Sequence, residues 1–406
     1  MRSIGKGRKG AVRFCTLMNM PEPSLPRSYS YHATAINKSV KKVAEETMAE
    51  AAKEIHEQLD FSEFAEIGVS GDGTWQKRGY SSLHGVVNVA SMETGKVLDT
   101  EVLSQFCRQC SLHEKKNLDT TEYLVWKAEH ESKCKANFKG SSGLMEPKGT
   151  ENIFSRSAEK HKILYTDLYC DGDSKSFDRI KQVYKNDHGK EVRRLQCVGH
   201  VQKRLGTALR KLKKEVKGLG GRGKLTENLI NKLQNYYGIA IRSNVGNLAA
   251  MKTSINASFF HCIATKDTPH FHVHCPDGAD SWCRFKQDKV TMKKTYKPST
   301  GVPINVVKEV KPIDARLSED TLLEQCLHGK TQNQNESLNK MIWERAPKET
   351  FIGSQGIETA MYDVVANFNI GATASSRVLR YLGIEPGKHT LDGCKKIDLD
   401  RIRNAT

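Results

Sequence analysis

No run of eighteen apolar residues occurs in this chain, so no transmembrane helix is expected. The first ten residues, Met-Arg-Ser-Ile-Gly-Lys-Gly-Arg-Lys-Gly, are basic and lack the apolar centre of a secretory signal. Acid is short: 47 Asp and Glu stand against 64 Lys and Arg, for a formal net charge of +17. That imbalance points to a polyanionic partner, nucleic acid ahead of an anionic membrane surface. Cysteine is present, but its count of 11 is odd. An odd count in a long, Lys-rich chain argues against a disulfide frame and for a reducing compartment, with thiols in metal sites or packing. A hydrophobic share of 37% against 27% charged is enough for a core and excludes wholesale disorder. At 406 residues the chain calls for two or three domains, or one with a large insertion.

The chain is organised around Ile67 to Trp75. Ala65 to Val69 reads as a buried strand leading to Asp72, which stands between Gly71 and Gly73. Flanking glycines permit a sharp bend and close approach of a large group to the carboxylate. Ser82 to Ala90 and Lys96 to Phe106 read as the next two strands. Before them, residues 1–30 read as an extended, Pro-containing lead-in, and 36–59 as an amphipathic helix on the spacing of Ile36, Val40, Val43, Ala51, Ile55 and Leu59.

After the third strand, Cys107 and Cys110 form a C-x2-C pair, and His130 and Cys134 an H-x3-C pair. Two close pairs joined by a loop suit a tetrahedral structural zinc ion, since four protein ligands leave no open position. A second, looser cluster follows later. Its best tetrahedral set is His261, His272, Cys275 and Cys283. Zinc in one or both clusters is the expectation.

Residues 139–149 read as a turn leading into a helix near Glu151. Lys162 to Cys170 reads as a strand ending at Asp171-Gly172-Asp173-Ser174, with an amphipathic helix after it. Asp171 therefore stands where a strand hands over to a helix, as active-site carboxylates of α/β sheets do. Asp173 competes for that role, and Asp173 or Ser174 for the helix N-cap. A calcium loop is excluded because its remaining ligands are not at the required offsets. Val192 to Val198 is a further strand, followed by a helix with Lys203, Arg204, Arg210, Lys211, Lys213, Lys214 and Lys217 on one face. Seven cations with few nearby acids repel one another, and a bound phosphate backbone would offset that. Glu336 lies early in a helix among Gln332, Asn333, Gln334, Asn335 and Asn339, amides suited to DNA or substrate contacts. A last helix covers Gly356 to Phe368, and a basic tail follows 387.

Four motifs in order, Asp-Gly-Thr-Trp-Gln-Lys-Arg-Gly at 72–79, Asp-Gly-Asp-Ser-Lys at 171–175, Cys-x-x-His at 197–200 and Thr-Gln-Asn-x-Asn-Glu-Ser-Leu-Asn at 331–339, resemble the Mutator-like transposase domain, a DDE transposase family. The resemblance runs from about Phe14 to Gly371. It implies an α/β fold with an RNase H-like mixed sheet flanked by helices. A mainly helical insertion is then expected between the second Asp and the Glu, and a small zinc-binding insert after the third strand. The expected domains are an N-terminal extension and helix at 1–60 and the first part of the core at 61–200, carrying the insert at 107–138. A basic Cys/His-containing insertion at 201–325, the core's C-terminal helices at 326–375 and a tail at 376–406 complete the chain.

By the same resemblance Asp72, Asp171 and Glu336 form the metal-binding triad, holding two Mg2+ or Mn2+ ions that hydrolyse DNA phosphodiesters and transfer strands. Cys197 and His200 match the family's C-x-x-H pair. With Lys203, Arg204, Arg210, Lys211, Asn335 and Asn339 they are the expected DNA-binding or auxiliary residues. The implied partners are transposon ends and target DNA, not membrane, met by a homodimer or higher oligomer in the nucleus. The chain shows no complete N-terminal zinc finger and no long basic C-terminal extension, so a truncated, fragmentary or domesticated copy is expected. An RNase H-like nuclease without strand transfer, and a non-catalytic zinc-containing DNA-binding derivative, are the alternative readings.

Overall fold

The computed structural model describes residues 4–23, 25–59, 63–77, 81–114, 120–171, 174–297 and 302–405. The chain divides into two compact units, residues 1–168, 173–193 and 333–406 in the first, and 169–172 and 194–332 in the second. Strands β1 (Ala65–Trp75), β2 (His84–Ser91), β3 (Val97–Ser104), β4 (Ile163–Cys170) and β5 (Arg193–Gln196) form a mixed sheet in the order β3-β2-β1-β4-β5. The first three are an antiparallel meander, with Asp72 opposite Asn88 and Asn88 opposite Thr100. Among the described residues, no helix is long and apolar enough to cross a membrane.

In the first unit the sheet carries helices on both faces. On one, the helices Pro26–Gln58, Asn333–Arg345 and Ser354–Ile370 supply Val43, Met48, Leu338, Ile342, Met361 and Val364, which pack on Val86 and Val97. On the other lies the helix Met145–His161, whose Gly149 touches Val87. That helix is also held electrostatically. Buried Asp99 of β3 accepts from Arg156 Nε at 2.7 Å and from Lys160 Nζ at 2.8 Å. Burial pushes the Asp99 carboxyl up, but Arg156 and Lys160 outweigh it and hold the group below the usual carboxylate range.

One sequence expectation fails here. Residues 1–30 are not an extended lead-in, because they hold the helix Arg8–Leu17 and the first residues of Pro26–Gln58. Pro26 opens the longer helix, where its missing N–H costs nothing and its fixed φ already suits the first turn. The expected tail at 376–406 carries helices. It contains most of the helix Ala374–Tyr381 and the helix Lys388–Ala405. Leu391, Ile397, Leu399 and Ile402 of the last helix stay exposed, so its sequence shows none of the buried stripe that usually marks a packed helix.

The second unit is mainly helical. Val198–Glu215, Glu227–Arg242, Leu248–Ile263 and Ile304–Leu317 close around Leu205, Leu209, Ile230, Ile241, Met251, Ile255 and Val310.

Candidate functional site

Strand β1 does not stop at Val69. It continues in register with β2 through both glycines to Trp75. Alternation then sends Ser70, Asp72 and Thr74 to one face and Gly71, Gly73 and Trp75 to the other. The glycines provide room rather than a bend: a Cβ on Gly73 would lie 2.7 Å from the Cβ of Glu146, and one on Gly71 3.1 Å from Leu168.

The Asp72 face meets the helix Asn333–Arg345 in a polar seam. Asn335 Nδ2 donates to Ser70 Oγ at 2.9 Å, Asn339 Nδ2 to Asp72 Oδ2 at 2.6 Å, and Trp343 Nε1 to Thr74 Oγ1 at 2.7 Å. The match is one of pitch. Four helical residues advance about 6 Å and two strand residues about 6.7 Å, so positions i, i+4 and i+8 of the helix track i, i+2 and i+4 of the strand. Behind the carboxylate the network continues sideways. Asn339 Oδ1 accepts from Asn88 Nδ2 at 3.3 Å, and Asn88 Oδ1 accepts from Thr100 Oγ1 at 2.7 Å. Asp72, Asn88 and Thr100 are thus one cross-strand row, with Asn88 and Thr100 buried. Glu336 is exposed on the same helix, one turn before Asn339.

Asn335 and Asn339, read from sequence among the DNA-binding or auxiliary residues, thus donate to Ser70 and Asp72 of β1. The row of Asn88 and Thr100 escaped sequence reasoning because only strand register places those residues beside Asp72.

Asp171 belongs to the second unit and directly follows β4. His200 Nδ1 lies 3.0 Å from its Oδ2, and Arg204 Nη2 donates to Oδ1 at 3.2 Å. Both partners sit on the helix Val198–Glu215, one turn apart, so the helix presents a paired grip on one carboxylate. Cys197 is buried at that helix's N-cap, and its sulfur accepts the Gln332 N–H at 3.3 Å. Of the Cys-x-x-His pair, then, the thiol packs and the imidazole faces the acid. Asp173 and Gly172 lie outside the described residues, as do Arg78 and Gly79 of the first motif.

The cationic face of this helix has more acid near it than the sequence suggests. Glu227 of the neighbouring helix takes Arg210 at 3.0 Å and Lys213 at 3.2 Å, and Glu215 lies 3.7 Å from Lys211. Arg210 also donates to Asn231 at 2.6 Å. The pairing partner is 17 residues from Arg210 and on another helix, beyond the reach of a single-helix reading. Lys203 is exposed.

Both Cys/His clusters close. In the first, ligand atoms of Cys107, Cys110, His130 and Cys134 lie within 4.8 Å of one another, and so do those of His261, His272, Cys275 and Cys283 in the second. Two sulfurs about 2.3 Å from a shared tetrahedral zinc would stand about 3.8 Å apart, and a sulfur–nitrogen pair slightly less. The observed edges fit that size. Cys110 to Cys134 is 3.6 Å and Cys107 to His130 Nε2 is 3.3 Å. In the second cluster Cys275 lies 3.7 Å from His261 Nδ1 and 3.8 Å from His272 Nδ1, and Cys283 lies 3.4 Å from His272 Nδ1.

Surrounding groups complete each cage. Burial alone would push the Cys107 thiol up, but backbone N–H groups of Cys110 and Lys135, with His130 and the Gln109 N–H, bring it down to about 6. Cys110 goes the other way, to about 12, through burial and then the neighbouring Cys134 and Cys107 sulfurs. Such opposed thiols are the expected result of crowding sulfurs that a dication would neutralise together. In the second cluster, His272 Nε2 lies 3.0 Å from the Tyr296 hydroxyl, which fixes which ring nitrogen faces the sulfurs. Tyr296 is itself held by Asp288, which accepts its N–H at 2.7 Å. No motif or spacing in the sequence marks Tyr296.

A family model described as Mutator-like transposase matches residues 1–283, and the chain belongs to that family. None of the curated proteins matches the chain. Membership supports a transposase function, an enzyme kind that acts on DNA, and with it DNA binding and use of divalent metal. The matched stretch covers Asp72, Asp171 and both Cys/His clusters and ends before the helix that carries Glu336.

Proposed function

We propose that this chain is a DDE-type transposase of RNase H-like architecture, with Asp72, Asp171 and Glu336 as its metal-binding acids. The observation that carries the reading is the bond from Asn339 to Asp72, which ties the helix of Glu336 to the strand of the first acid. The strand order β3-β2-β1-β4-β5, with its antiparallel opening meander, supports the RNase H-like architecture.

The donor set fits the ions. Carboxylate oxygens are what Mg2+ or Mn2+ prefers, and three suffice when waters and a substrate phosphate fill the remaining positions. Two such ions, when bound, supply Lewis-acid stabilisation of the attacking and leaving oxygens in phosphodiester hydrolysis and strand transfer. Asn339 donates to Asp72, which fixes the rotamer of the carboxylate. His200 and Arg204 do the same for Asp171. The two Cys/His clusters would hold structural zinc, since all four positions in each are filled by protein. On this reading the chain acts in the nucleus on transposon ends and target DNA, as a homodimer or higher oligomer.

The test is a joining assay. Purified chain with Mg2+ or Mn2+ is mixed with end-labelled duplex carrying a free 3′-hydroxyl and with supercoiled plasmid. Labelled plasmid is the expected product. Nicking without joining would instead make the chain an RNase H-like nuclease, and binding without either would make it a non-catalytic derivative.

A further inference from the structure

Beside the first Cys/His cluster, in the same unit, is a cavity of about 550 Å³ with no acidic side chain among its lining residues. Its cations are Arg108, Lys135 and Arg345. Arg345 is neutralised by Asp363 at 2.5 Å. Arg108 and Lys135 are exposed and make no ion pair among the described residues. Thr350, Ser354 and Gln355 add neutral polar groups to the same wall.

The two unneutralised cations are placed by the cluster. Arg108 directly follows the ligand Cys107, and Lys135 directly follows the ligand Cys134. The Lys135 backbone N–H also points at the Cys107 sulfur. One ion gripping both ligand pairs would therefore cross-link two segments far apart in the chain and fix one cation from each at one cavity. Two like charges lining one cavity raise each other's energy, and a bound anion lowers it.

We propose that this cavity is a seat for a phosphate of the DNA backbone, gripped by Arg108 and Lys135 and set in position by the Cys107–Cys134 cluster. Phosphate contacts of this kind fix register on the duplex without reading its sequence. The zinc insert then has a task in DNA positioning as well as in folding. This rests on the DNA partner of the proposed function and adds the surface that meets it.

The experiment measures binding of a fluorescein-labelled duplex by the full, zinc-loaded chain across a salt series. Arg108→Ala and Lys135→Ala should each weaken binding roughly 3- to 10-fold near physiological salt and reduce the salt slope by about one phosphate's worth. Arg108→Lys should keep the slope. Lys133→Ala, an exposed lysine of the insert that does not line the cavity, should leave both values unchanged. Cys134→Ser should lose about as much slope as the Arg108/Lys135 double variant. Metal content measured on each preparation confirms that the two alanine variants keep their ions. If the wild-type chain binds duplex and both alanine variants bind it with the same affinity and slope, the phosphate seat is wrong while the DNA reading stands. If the wild-type chain binds no duplex, both fall together. Strong competition by inorganic phosphate at the wild-type cavity, with unchanged duplex binding, would likewise overturn the DNA backbone as occupant.

Discussion

The two Cys/His clusters use similar ligands in opposite surroundings. The first sits in an insert with little core of its own. The helix Arg108–Glu114 has no buried residue, and Leu112, Leu124 and Val125 are exposed. Beyond its ligands the insert is ordered by rings, with Trp126 stacked on His130 at 4.7 Å and on His113 at 3.7 Å, and by Asn137 at its end, which bonds the backbone of Ser104 at 2.7 Å and of Val102 at 2.8 Å. The second cluster hangs from the helix Leu248–Ile263, whose Met251, Ile255 and Phe259 belong to the core of the second unit. A segment too small to bury its own apolar surface depends on metal to fold at all, whereas one attached to a formed core uses metal as a staple. With metal bound, the same ligand chemistry would therefore carry different energetic weight at the two places.

The largest effect should come from breaking the first cluster. Cys134→Ser should remove one ion per chain and leave the backbone amides of the insert exchanging at nearly unprotected rates. Retained protection there would erase the contrast. Cys283→Ser should also remove one ion, but faster exchange should be confined to residues 264–297. Amides of Leu248–Ile263 should stay protected, as hydrogen exchange read by mass spectrometry can show.

A smaller effect concerns a buried histidine at the start of β2. His84 is fully buried against Phe106 and Phe351, and neither ring nitrogen has a partner among the described residues. Burial lowers its pKa to about 4. Unfolded, the ring titrates near 6.5, so between roughly pH 6.5 and 4 the unfolded chain binds the extra proton and folding stability falls as pH falls. His84→Phe should remove up to about 3 kcal/mol of that pH dependence in denaturant unfolding compared at pH 7 and pH 4. An unchanged pH slope would show that the ring is solvated. The smallest effect belongs to the second cluster. Tyr296→Phe removes the hydroxyl that orients His272 and should weaken metal binding there by about 10-fold, and 100-fold at most. Chelator competition should detect this while the first cluster keeps its affinity.

How much was legible in sequence follows from the distance between partners. The ligand pairs Cys107/Cys110 and His130/Cys134 were legible because short spacing is itself the signal, and the looser second set was found from its density of His and Cys. Four-residue steps of apolar side chains revealed the basic helix but not Glu227, which neutralises part of it from another helix. Gly71-Asp72-Gly73 reads as a turn in one dimension. In three it is mid-strand, because Glu146 and Leu168 fill the space that side chains there would need. The polar seam of Ser70, Asp72 and Thr74 with Asn335, Asn339 and Trp343 was out of reach. Its partners lie more than 260 residues apart, and only the matching rise of strand and helix brings them together.

The most direct measurement is relaxation of supercoiled plasmid in Mg2+ or Mn2+ by the wild-type chain and by Asp72→Asn, Asp171→Asn and Glu336→Gln, with duplex affinity recorded for each. The wild type should nick, every variant should lose at least about a thousand-fold, a size typical when a group central to the chemistry is removed, and duplex affinity should survive. Nicking that persists in any one of the three variants would contradict the assignment of that acid, and persistence in all three would contradict the account.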